Sequence, residues 1–133
     1  MILSLLTPVD SWQSLKKTDG TLVWTKKILD GNGYLSDICF YDDKLIIGDG
    51  SAIDVLKLDN TTIPCRNRDT FISQFDTMGN LVWARTMGGL NRDDGGDVQL
   101  DESGNIYTCG IYQGTADFGG VILDNGEKED IYL

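Results

Sequence analysis

Asp69-Thr70-Phe71-Ile72-Ser73-Gln74-Phe75-Asp76-Thr77-Met78-Gly79-Asn80-Leu81-Val82-Trp83 repeats an earlier stretch of the same chain, Asp10 to Trp24, without a gap. Leu22-Val23-Trp24 returns as Leu81-Val82-Trp83, Gly20 returns as Gly79, and Trp12 is replaced by another aromatic, Phe71. A further cycle opens at Asp130-Ile131-Tyr132. An internal repeat of short apolar runs joined by turn residues means that one supersecondary unit is used several times.

The units are made of strands. Phe71-Ile72-Ser73-Gln74-Phe75, Leu81 to Met87 and Ile106-Tyr107-Thr108-Cys109 are short, β-branched or aromatic, and bounded by turn residues. The 16 glycines and the lack of any long apolar stripe at helical spacing argue against helices. Two turns share one design, Asp76-Thr77-Met78-Gly79-Asn80 and Asp101-Glu102-Ser103-Gly104-Asn105. In each, the Asp carboxylate can accept from backbone N–H groups a few residues on, and the Gly supplies the positive φ of a tight hairpin.

This pattern predicts an all-β chain holding about two blades' worth of four-stranded antiparallel β-propeller repeats, part of a larger propeller. Strand A is read at 35–41 and 96–101, and B at 44–49 and 105–111. C is read at 10–17, 69–76 and from 129, and D at 21–29 and 80–87. The chain then divides into strands C and D of one blade (10–29), a complete blade (35–87), and A, B and the start of C of the next (96–133). The final C run stops at Leu133 without a D partner. The expectation is a fragment of a longer protein, with a ring assembled from two-blade chains as the alternative.

Composition narrows the partners. The 133 residues carry 21 acidic against 11 basic side chains and no His, a formal charge of −10. Such a surface repels phosphate, which argues against nucleic acid and anionic membrane. No apolar run approaches the roughly 18 residues of a membrane helix, so no membrane insertion is expected. Met1-Ile2-Leu3-Ser4-Leu5-Leu6 is short, lacks a basic flank and reads as a strand, not a signal peptide. Cys39, Cys65 and Cys109 have no CxxC spacing and allow one disulfide at most, and Cys39 and Cys109 read as buried small apolar residues.

The succession Asp69-Thr70-Phe71-Ile72, Asp76 to Trp83, Met87-Gly88-Gly89, Asp97-Val98, Asp101 to Tyr107, Gly110 and Thr115-Ala116-Asp117-Phe118-Gly119-Gly120 resembles the SBBP β-propeller repeats of bacterial surface and secreted proteins. The likeness is close from Asp69 to Leu133. The first copy departs from it, since Tyr41-Asp42-Asp43-Lys44 is one residue shorter than the 101–105 turn and lacks its Gly. The resemblance implies a propeller scaffold in an extracytoplasmic location and no particular reaction.

In a four-stranded meander the D-to-A and B-to-C links share one end, and the A-to-B and C-to-D turns share the other. The long links, Asp30 to Gly33, Gly88 to Gly95, and the segments near 50–68 and 112–128, read as irregular and mark the end where a ligand would bind. Candidate binding residues there are Asp30, Asn32, Arg92, Asp93, Asp94 and Tyr112, the last for stacking, with solvated loop positions as the competing reading. Trp24 and Trp83 read as packing residues on D strands. No metal site is assigned: Asp30-x-Asn32 and Asp101-x-Ser103-x-Asn105 put oxygen ligands at alternate positions, as a calcium loop would, but neither continues as an EF-hand.

Catalysis is poorly provided for. There is no His to act as a base near neutral pH, and the pairs Asp42-Asp43 and Asp93-Asp94 are sequence neighbours, not carboxylates placed across a substrate. The functional expectation is a non-enzymatic scaffold for binding or adhesion, with a protein or glycan ligand and no cofactor, calcium being the alternative left open. The alternatives are the propeller domain of a larger enzyme and a ring-forming, lectin-like oligomer.

Overall fold

The computed structural model describes residues 2–6, 12–16, 19, 21–27, 33–42 and 44–133. Every regular element among them is a strand: β1 (Ile2–Leu6), β2 (Trp12–Lys16), β3 (Leu22–Lys27), β4 (Gly33–Tyr34), β5 (Asp37–Tyr41), β6 (Lys44–Leu58), β7 (Thr61–Asp76), β8 (Leu81–Gly89), β9 (Asp94–Leu100), β10 (Ile106–Asp117) and β11 (Ile122–Tyr132). The first three form one sheet in the order β1-β2-β3. The other eight form a curled antiparallel sheet, a half-barrel, with the path β11-β10-β8-β7-β6-β4 and with β5 on β6 and β9 on β10.

The sequence repeat is also a repeat of hydrogen-bond register. In β7–β8, Phe71 pairs with Thr86, Gln74 with Trp83 and Phe75 with Leu81, with an irregularity between Gln74 and Phe75. In β2–β3, Trp12 pairs with Lys27, Leu15 with Trp24 and Lys16 with Leu22, with an irregularity between Leu15 and Lys16. Every partner is displaced by the same 59 positions, the bulge included. A one-residue slip would break this correspondence at every pair, so the backbone pairing of the two copies is the same. β1 lies on β2 as β6 lies on β7: Ile2 faces Lys16 where Leu45 faces Phe75.

Strands β5, β6, β7 and β8 are successive antiparallel neighbours, the order read from the sequence as A, B, C and D. They are not set apart from the later strands. β10 joins β8 through Ala116↔Gly89 and Asp117↔Gly88, and β11 lies on β10, which makes one continuous curled sheet.

Two of the supposed irregular links are hairpins. β6 runs on to Leu58 and β7 starts at Thr61, so most of 50–68 is ladder, closed by Asp59-Asn60 with Asp59 at φ 52. Asp tolerates the left-handed region, so this turn forms without the Gly that would have marked it. Leu56 and Leu58 are 0% and 1% exposed and join the core cluster of Phe71 and Phe75, which anchors the extension. Likewise most of 112–128 belongs to the β10–β11 hairpin, where the Phe118 N–H donates to the Val121 carbonyl at 2.9 Å.

The core divides by strand alternation. Phe71 and Phe75 point to one face of β7 and pack with Ala52, Leu56 and Leu58. Ile72 points to the other, against Val98, with Trp83, Met87 and Leu100 around it. Trp83 packs half-buried against this cluster, and its indole N–H donates to Gln74 Oε1 at 2.8 Å. Tyr132, Tyr112 and Ala116 form a third cluster beside Phe118. The side chains of Trp12 and Trp24 lie outside the described set.

The two Asp-Gly-Asn turns are alike down to single bonds. Asp76 Oδ1 accepts from the N–H of Met78 (2.9 Å) and of Asn80 (2.8 Å), and Oδ2 accepts from Asn80 Nδ2 (2.9 Å). Asp101 repeats this with Ser103 (2.9 Å), Asn105 (2.8 Å) and Asn105 Nδ2 (2.7 Å). Gly79 and Gly104 have φ of 82 and 80. Both carboxyls are held below the usual range, chiefly by the Asn side chain and its N–H.

A depressed carboxyl contributes stability that is present above its unfolded value and lost as pH falls through the folded one. Asp76→Ala and Asp101→Ala should therefore lower the melting temperature at neutral pH by similar amounts, and the double variant by their sum. Thermal unfolding followed by circular dichroism would test this; no loss in either single variant would show that the turn bonds contribute nothing.

Candidate functional site

The two ends of the meander sort as the strand order requires. At one end the hydroxyl of Tyr41, beside the β5–β6 turn, donates to the Glu102 carbonyl of the β9–β10 turn at 2.6 Å. At the other, the β6–β7 hairpin, the end of β8, the 90–93 loop and the β10–β11 hairpin come together. A cleft of about 370 Å³ opens there, lined by Cys65, Arg66, Asp69, Thr86, Gly88 and Asp117 among others.

Asp93 and Asp94 sit at this end, and both are buried, 0% and 4% exposed. They are adjacent, but their surroundings have opposite character. Asp94 faces positive charge: Oδ1 accepts from the Ser51 hydroxyl at 2.7 Å and lies 2.5 Å from Arg68 Nε, while Oδ2 accepts from Arg92 Nε at 2.5 Å. The Arg68 contact is ionic, its N–H not being aligned on the oxygen. Arg68 also stacks on the Tyr34 ring at 5.0 Å. Burial alone would raise the Asp94 carboxyl, but the hydrogen bonds from Ser51, Tyr34 and Arg92 and the charge of Arg68 hold it below the usual range.

Asp93 faces only neutral donors. Oδ2 accepts from the Gly89 N–H at 2.7 Å and Oδ1 from the Gln113 N–H at 3.2 Å, so one carboxylate ties the end of β8 to the middle of β10. Its own N–H donates to the Arg68 carbonyl at 2.7 Å. Burial raises this carboxyl above its ordinary value, and the charges of Asp69 and Asp94 push it the same way.

Asp69 does not stand out as a binding residue in the sequence, yet it is the least satisfied group at the site. It is 5% exposed; Oδ2 accepts from the Arg66 N–H at 3.2 Å, and the buried Oδ1 has no partner. Burial raises its carboxyl too. Gly88 separates it from Asp93: a Cβ on that glycine would lie 2.9 Å from Asp69 Oδ1 and 2.7 Å from Asp93 Oδ2. Beside them the Cys65 thiol is pushed up to about 11 by burial and by the charge of Asp69, so it stays protonated at neutral pH.

The other residues expected to bind have varied surroundings. Arg92 is half exposed and bound to Asp94. Tyr112 is 6% exposed and meets Phe118 edge-on, with ring centroids 5.9 Å apart, inside the third core cluster and not on a surface. Asp30 and Asn32 lie outside the described residues. At Asp101-x-Ser103-x-Asn105 both carboxylate oxygens are taken up by the turn itself, which is the hairpin reading and not a calcium loop. Cys39, Cys65 and Cys109 are free thiols, each half-buried.

Only one signal in the sequence pointed towards Asp69, its place opening each C strand as Asp10, Asp69 and Asp130. Its burial depends on the β6–β7 hairpin, which lacks a glycine turn to announce it. Comparison with protein-family models finds no match for this chain, and comparison with curated proteins finds none either.

Proposed function

We propose that the chain is a non-enzymatic binding or adhesion scaffold built of β-propeller repeats, extracytoplasmic as the SBBP resemblance implies, taking a protein or glycan ligand at the hairpin end of the sheet. The observation that carries this reading is the repeated register of β2–β3 and β7–β8, bulge included, because it marks one unit used again as a frame. Loops and hairpin ends on such a frame are free to form a site while the ladder holds them in place. The cleft of about 370 Å³ at that end falls in the range of small-ligand pockets. The chemistry of the site favours binding over turnover, since Asp93 and Asp94 are engaged by their own surroundings and the neighbouring thiol is protonated.

Screening the isotope-labelled chain by NMR against glycans and peptides tests the reading. Ligand-induced shifts should gather at Thr86, Gly88 and Gly119 and spare the turns at Asp76 and Asp101. Shifts confined to those turns, or chemical conversion of a bound ligand, would overturn it.

Self-association into a ring is a second reading, favoured by the apolar rim near β11. Ile131, Val121, Ile122 and Tyr107 are 73%, 61%, 59% and 52% exposed, beside a cleft of about 320 Å³ that includes Met87, Phe118 and Leu123. Light scattering coupled to size exclusion decides it: a discrete oligomer at all concentrations supports a ring, and a monomer excludes one.

A further inference from the structure

We propose that the cleft beside Asp69 takes an organic cation, an ammonium or guanidinium group of the kind carried by a lysine or arginine side chain or a polyamine, with the Asp69 carboxylate as its principal partner. The inference rests on the binding-scaffold reading above and names the ligand chemistry of that site.

Asp69 Oδ1 is a buried carboxylate oxygen that accepts no hydrogen bond, and such atoms are rare in folded proteins and ask for a partner. Its neighbours do not supply one. Asp93 is itself an acceptor filled by two backbone N–H groups, and Gly88 has no side chain to cover the oxygen. Arg66 lines the cleft with an exposed side chain and engages Asp69 through its backbone N–H and, at longer range, its charge, but no hydrogen bond reaches Oδ1.

The sign of the site is negative on balance, with Arg66 the one cation on the cleft lining set against Asp69 and Asp117. Asp117 lines the same cleft, Asp93 lies behind Gly88, and the thiol of Cys65 is raised by burial and by the Asp69 charge. The whole chain adds a net charge of −10. An anionic ligand would be repelled and a cation drawn in.

A hard metal ion fits less well than an organic cation. Calcium takes 6 to 8 oxygen ligands, and among the described residues no three carboxylate, thiol or imidazole groups converge on one point. Ammonium and guanidinium groups instead offer three and five donors, which suit one unpaired carboxylate oxygen, a second carboxylate and the Thr86 hydroxyl on the cleft wall. A volume of about 370 Å³ leaves space for the alkyl stem as well.

The test titrates the purified chain, by calorimetry and NMR, with a blocked lysine, a blocked arginine, spermidine, calcium chloride, acetate and a neutral sugar. The expected result is saturable binding of the ammonium or guanidinium probes, with shifts at Thr86, Gly88 and Gly119. Asp69→Asn should weaken binding by about tenfold or more, the loss of one charge-assisted bond, and the lysine and arginine arms show which cation is preferred. Should Asp69→Asn fail to fold, Asp117→Asn carries the test by a smaller loss of affinity. Cation binding unchanged in a folded variant, binding of calcium alone, or no response to any cationic probe would overturn the assignment. In that event a sugar or peptide that still shifts the cleft amides leaves the scaffold reading standing, whereas no ligand at the hairpin end counts against both.

Discussion

Gly50→Ala and Gly110→Ala are each expected to remove about 3 kcal/mol or more of folding stability, the upper end for an inserted methyl and a large share of the total for a domain of this size. The cause is space. A Cβ on Gly50 would fall on the carbonyl oxygen of Tyr34 and lie 2.6 Å from Cε1 of Phe71. A Cβ on Gly110 would fall on the carbonyl oxygen of Asp94 and lie 2.6 Å from the hydroxyl of Tyr132. In both copies the glycine pairs with the C-strand aromatic, Gly50 with Phe71 and Gly110 with Tyr132. A clash with a flexible side chain can be relieved by a change of rotamer, but a clash with a backbone carbonyl requires the strands to move apart. Separation of β6 from its neighbours would unseat Phe71, which with Phe75 is the largest fully buried side chain among the described residues.

Gly104→Ala is the control. Gly104 has φ +80 with nothing within 4 Å of the added atom, so only the local backbone penalty of about 1–2 kcal/mol applies. Urea unfolding of the three variants measures the difference. A Gly50→Ala midpoint no lower than that of Gly104→Ala would mean that the close approach of Phe71 and Tyr34 to this glycine does not exist in solution.

The second large effect is at Asp93. Asp93→Ala removes the acceptor for the N–H groups of Gly89, which is buried, and Gln113, which is partly buried, and should cost about 2–4 kcal/mol. Asp93→Asn keeps one oxygen, loses one of the two bonds and should fall between the wild type and Asp93→Ala.

The same group gives the chain an unusual response to acid. Asp93 and Asp69 both have folded-state values above the ordinary one. A raised carboxyl contributes stability that is complete below its unfolded value and is lost as pH rises through the folded one. The melting temperature should therefore rise as the pH is lowered from neutral towards the ordinary carboxyl range of about 4. It should turn down only when the depressed carboxyls, Asp94 in its ion pairs and Asp76 and Asp101 in their turns, begin to protonate.

The net charge of −10 also eases as acid is added and acts in the same direction. The difference between wild type and Asp93→Asn separates the two contributions. A flatter rise in the variant assigns part of the effect to Asp93, and parallel profiles would show that its burial does not govern its proton.

By itself the sequence determined that the chain is all-β, that one C–D pair is used again 59 positions on, and that two hairpins close through an Asp carboxylate and a left-handed glycine. These features are local. Apolar alternation, turn chemistry and the spacing of Leu-Val-Trp act over a few residues and hold whatever else packs nearby. The strand order from β5 to β8 was legible for the same reason, since neighbours joined by short turns pair with each other. Tertiary structure alone decided that 50–68 and 112–128 are hairpins closing over a cleft, that β8 and β10 join in one curled sheet, and that Tyr112 is a core ring. It also gave opposite character to two adjacent aspartates: Asp94 meets Arg68 and Arg92, and Asp93 meets only backbone N–H groups and another carboxylate. The physical reason is that burial and the sign of the surrounding charge are properties of what the other strands bring to a residue, and those partners lie tens of positions away in the chain.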